Sequence, residues 1–61
     1  MVEDSIEDLY NTFYALLQMN KIPNSRGKFV HMLGVCDLAQ QTLDELKNEL
    51  NSILTGTNSR D

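Results

Sequence analysis

The sequence predicts an all-α fold: a helical hairpin, with a short helix over about 5–20 and a long one over about 26–54, that self-associates into a helical bundle. Three observations predict it. Apolar residues recur at helical spacing in two stretches. One strong break separates them, at Lys21-Ile22-Pro23-Asn24-Ser25. The chain has 61 residues and one cysteine, and a single core of this size supplies no more than roughly 3–5 kcal/mol. Without disulfides to help, surface borrowed from a second chain is expected.

The first helix starts at Asp4 or Ser5, either of which can cap it, with Glu7 or Asp8 placed to complete a capping box. Glu3, Asp4, Glu7 and Asp8 suit the positive end of the helix dipole, which explains them more simply than a cation site does. Ile6, Leu9, Phe13 and Leu16 then follow the spacing of one helical face, and Tyr10, Tyr14 and Leu17 widen it.

The break holds the only proline, Pro23, which disfavours helix at Ile22 because its ring crowds the preceding residue. A second helix is expected from Ser25 or Arg26. Phe29, Met32, Cys36, Ala39, Leu43, Leu46, Leu50 and Ile53 alternate at spacings of three and four, the a/d seam of a heptad pattern. Residues 1–54 are read as one domain and 55–61 as a flexible polar tail, with Gly56 available as a C-terminal cap.

Gly34, followed by the capping-box spacing of Asp37-Leu38-Ala39-Gln40, allows an alternative: a break at 34–37 and a compact three-helix bundle. The heptad register passes Gly34 without a phase shift, which favours the continuous helix. In that case the first helix is expected to cover Phe29 to about Gln41, leaving Leu43, Leu46, Leu50, Ile53 and Leu54 without a partner in the chain. Phe13, Phe29 and Cys36 are expected in the core.

Nine acids against five bases give a net charge of −4, which disfavours general nucleic-acid binding, since phosphate affinity comes from Lys and Arg. Lys21, Arg26, Lys28 and His31 nevertheless form a basic island. No apolar run reaches the length of a membrane span, and the acidic start is unlike a signal peptide, so a cytoplasmic location is expected. The frequent asparagines suit a low-GC coding sequence, such as that of a phage or mobile element.

Candidate chemistry is sparse. His31 and Cys36 are five residues apart and diverge on a helix, so they cannot share a metal or act as nucleophile and base. No glycine-rich phosphate loop is present, and two or three short helices enclose no catalytic cavity. Catalytic, cofactor and metal residues are therefore all expected to be absent, and the protein is not expected to be an enzyme.

Met32-Leu33-Gly34-Val35-Cys36 resembles the turn of a helix-turn-helix, but Gln40 stands where an apolar anchor belongs and Asp37, Asp44 and Glu45 would face phosphates. By length and periodicity alone, the layout looks like the small helical hairpins that dimerise into four-helix bundles, of which plasmid copy-number RNA-binding proteins are one kind.

The expected function is that of a protein-binding module, a regulator, inhibitor or adaptor of a larger partner. Its anchors are Leu43, Leu46, Leu50, Ile53 and Leu54, joined by Tyr10 and Tyr14, and it is expected to form a homodimer as well. The alternatives are an RNA-binding homodimer using Lys21, Arg26, Lys28 and His31, and a structural subunit of a helical assembly.

Overall fold

Two helices, α1 (Val2–Met19) and α2 (Arg26–Asn58), account for nearly all of the computed structural model, which describes residues 2–58. They are 18 and 33 residues long, about 27 and 50 Å at 1.5 Å per residue. The helices pack side by side, antiparallel, as a hairpin. It measures 54 × 15 × 12 Å with a radius of gyration of 15.6 Å, where a compact chain of this length would have about 10.5 Å.

The start of α1 differs from the expectation. Val2 is already helical, so Ser5 lies inside the first turns and is no cap. Its hydroxyl faces α2 and donates to Glu49 Oε1 at 2.8 Å. At the other end, the Asn20 N–H closes on Leu16 O at 2.9 Å, and Lys21 and Ile22 follow with tighter bonds to Gln18 O and Met19 O. Pro23 then stops the helix, having no N–H to continue it.

Ser25 caps α2. Its Oγ accepts the Lys28 N–H at 3.1 Å, and its carbonyl accepts the Phe29 N–H at 3.1 Å, the arrangement in which a serine satisfies an otherwise orphaned donor of the first turn. Lys28 fixes the connector as well. Its Nζ donates to Ile22 O at 2.7 Å and to Asn24 Oδ1 at 2.9 Å.

From there α2 is unbroken through Gly34, which excludes the three-helix alternative. The continuous heptad wins because one interior glycine costs only about 1 kcal/mol. Gly56 does not terminate the helix either, since no described glycine has a positive φ and α2 runs on to Asn58. Thr55 to Asn58 are therefore helical rather than tail, and 59–61 lie outside the described residues.

The coverage of α2 also differs from the expectation. The antiparallel pairing places Ser5 against Glu49, Val2 beside Ser52 and Ile53, and Thr12 in a groove shared with Val35, Leu38 and Thr42. So α1 lies along the stretch from Val35 to Ile53, and the segment it leaves uncovered is the N-terminal one around Phe29, flanked by the connector instead. The cause is the six-residue connector, 20–25, which runs back beside the first turns of α2, where Lys28 holds Ile22 O and Asn24 Oδ1.

Candidate protein-binding face

The most buried side chains between α1 and α2 are polar, and the apolar ones beside them, Leu9, Leu16, Met32 and Leu46 among them, are only half-buried. Among the described residues no apolar side chain is buried; the buried ones are Ser5, Thr12, Lys28 and Thr42. Val35 and Glu49 are half-buried on the same seam. On α1 the seam runs through Ser5, Thr12 and Met19, and on α2 through Lys28, Val35, Thr42 and Glu49, each at a spacing of seven. Both are heptad tracks, one residue ahead of the apolar a positions Ile6 and Phe13 on α1 and Phe29, Cys36, Leu43 and Leu50 on α2.

Small size lets the helices approach, and the hydroxyls are satisfied close by. Thr12 Oγ1 donates to Leu9 O at 2.8 Å and Thr42 Oγ1 to Leu38 O at 3.1 Å, the back-bonding open to threonine inside a helix. No buried side-chain polar atom among the described residues is left without a partner.

Because the seam occupies this track, the apolar stripes cannot point at each other. At about 100° per residue, Ile6 and Phe13 are turned roughly a quarter turn away from Ser5 and Thr12. Leu43 and Leu50 are turned likewise from Thr42 and Glu49. In an antiparallel pair these two rotations lead to the same side. The structure shows the result as a shallow, mainly apolar groove lined by Leu9, Phe13, Leu16, Cys36, Ala39 and Leu43, with Gln40 as its one polar member, and continued toward the connector by Leu17 and Met32. Phe13 is 57% exposed, Phe29 49% and Leu43 40%. The expectation that Phe13, Phe29 and Cys36 form a core within the chain is thus corrected: all three are exposed, because the seam runs one residue earlier in the heptad.

Of the anchors expected on α2, Leu43, Leu50, Ile53 and Leu54 are exposed and Leu46 is half-buried. Leu43 and Leu50 belong to the common face, and Leu46 and Ile53 turn toward the α1 side of it. Tyr10 and Tyr14 are exposed on the outer side of α1, their rings stacked at 6.3 Å between centroids. The α1 half of the face, Ile6, Leu9, Phe13, Leu16 and Leu17, was legible as a stripe but not as a binding surface. The signal that finds it is the run of small polar residues immediately before the a positions.

Within the basic island, Lys28 is set apart from the other three. Lys28 is buried with its ammonium on the connector, about 5.6 Å from the Phe29 ring centroid, while Lys21, Arg26 and His31 are exposed. The opposite groove, lined by Asp8, Asn11, Thr12, Ala15, Val35, Leu38 and Thr42, has one carboxylate, Asp8, in its lining and is apolar through Ala15, Val35 and the exposed Leu38. No group of His, Cys, Asp or Glu among the described residues is arranged to hold a metal ion. No described helix is long and apolar enough to cross a membrane.

Comparison with known proteins adds no relative: no family model, curated protein or solved structure matches this chain.

Proposed function

We propose that the chain is a non-enzymatic binding module that works by burying the apolar face shared by its two helices against another helical protein surface, as a regulator, inhibitor or adaptor does. The observation that carries this is the absence of any buried apolar side chain among the described residues, together with the gathering of both apolar stripes on one side. Hydrophobic burial is the main favourable term in folding and association. Here a large part of it is left to be gained outside the chain.

The recognition mode is helix packing in which Leu43 and Leu50 of α2 and Phe13 and Leu17 of α1 act as anchors. The acidic groups lie elsewhere. Asp8 lines the opposite groove, and Asp37 and Asp44 fall on the outer side of α2 at 100° per residue. There they disfavour docking on the wrong side rather than strengthening the right one.

A photocrosslinking residue placed at Leu43 or, as a control, at Gln41 on the opposite flank tests the proposal in the native host. Leu43 is expected to yield a discrete protein adduct, of the chain with itself or with another protein, that Gln41 does not. Equal adducts from both positions, or none from Leu43, would refute it.

A further inference from the structure

We infer that the occupant of the apolar face is a second copy of this chain, laid on it about a two-fold axis at the height of Leu43 so that the two α2 helices run antiparallel and the four helices form a bundle. This rests on the reading of the face as a binding surface and names its partner.

The chain has surface to gain by pairing along its length. It exposes 5015 Å², about 1,000 Å² more than the roughly 4,000 Å² of a compact protein of 6.9 kDa, because a 54 × 15 × 12 Å hairpin is thin. A second hairpin laid along it makes a body of more ordinary proportions.

The face is also symmetric in the sense that a two-fold contact demands, with the same patch serving both partners. Cys36 and Leu50 each lie seven residues from Leu43, and Met32 and Leu54 each lie eleven. An antiparallel copy centred on Leu43 therefore brings Cys36 level with Leu50 of the copy, Met32 level with its Leu54, and Leu43 level with itself, while Leu46 and Ala39 come level with the copy's Gln40 and Lys47, whose aliphatic stems can cover them. The α1 stripe is centred at the same height, since Leu9 and Phe13 share a groove with Ala39 and Leu43.

The uneven helix lengths choose between the two ways of making a bundle. A two-fold axis parallel to the helices would set both α1 helices at one height and leave Phe29, beyond the end of α1, uncovered in both copies. An axis across the helices brings the C-terminal end of the copy's α2 over Phe29 and Met32. In that arrangement the whole stripe from Phe29 to Leu54 is covered.

Sedimentation equilibrium of the full chain under reducing conditions is expected to give twice the 6.9 kDa chain mass. The axis is tested in a Cys36→Ser background, where Leu43→Cys keeps an apolar side chain and is expected to oxidise to a disulfide-linked dimer. Gln41→Cys, placed on the opposite flank, is expected to stay single on a non-reducing gel. Helicity by circular dichroism confirms that both variants fold.

A wild-type chain that stays at single-chain mass up to about 100 µM overturns the inference, the concentration being far above the Kd of a specific, stable interface. If the Leu43 photocrosslinker still captures a different protein, the binding-face reading survives that result. Disulfide formation at Gln41→Cys equal to that at Leu43→Cys overturns the proposed axis, and adducts from Gln41 equal to those from Leu43 remove both readings.

Discussion

Ser5 of α1 donates its hydroxyl hydrogen to Glu49 of α2 at 2.8 Å, across a separation of 44 residues. The bond ties the start of one helix to the last third of the other and fixes the register of the hairpin. Both residues lie on the heptad tracks that meet between the helices, so this is a seam contact and not a surface decoration.

A double-mutant cycle with Ser5→Ala and Glu49→Ala should therefore show coupling. Hydrogen bonds to charged groups contribute about 1.5–3 kcal/mol, and partial solvent access at Glu49 reduces that to about 1 kcal/mol. Urea titrations of the wild type, the two single variants and the double variant measure it. Additive effects would mean that the register is set elsewhere.

Gly34→Ala should stabilise the protein. Gly34 is helical, and a Cβ there would meet nothing within 4 Å, so the helix-propensity gain of about 1 kcal/mol is realised without strain. For a domain of this size that corresponds to a rise of about 4–8 °C in Tm, read by circular dichroism at fixed protein concentration. An unchanged or lower Tm would show that the position is crowded by something beyond the chain.

Ser25→Ala should cost about 1 kcal/mol, the usual loss when a capping hydroxyl is removed. Ser25→Asp, which restores an acceptor to the Lys28 N–H, should recover most of it. Hydrogen exchange localises the effect: the first turn of α2 should exchange faster in Ser25→Ala, while amides near Leu43 change less.

Lys28→Met keeps the aliphatic length of the side chain but removes both of its bonds to the connector, to Ile22 O and to Asn24 Oδ1. The expected loss is about 1–3 kcal/mol, because two part-buried acceptors lose a charged donor. Arg26→Met, at an exposed neighbour, should change stability by less than about 0.5 kcal/mol. Similar losses in the two variants would argue against the clasp.

The sequence made the helices legible because their signals are local. The spacing of Ile6, Leu9 and Phe13 and the Pro23 break each act within a turn or two. The uninterrupted register from Phe29 to Ile53 argued correctly for a continuous helix through Gly34.

What stayed hidden was rotational. A heptad stripe says which residues want burial and leaves open which neighbour buries them, and the natural assumption was that the two stripes face each other. The actual contact runs through Ser5, Thr12 and Thr42, residues that hydropathy treats as surface and that reveal themselves only by their sevenfold spacing and small size. The height at which α1 meets α2 was hidden for a related reason, because the length of the connector, and not helix periodicity, sets it.

Thr12 and Thr42 turn their hydroxyls back onto their own helices, so much of the seam has no directional link across it. The alignment of the hairpin therefore hangs on its two ends: the Ser5–Glu49 bond near one and the bonds of Lys28 to Ile22 and Asn24 at the other.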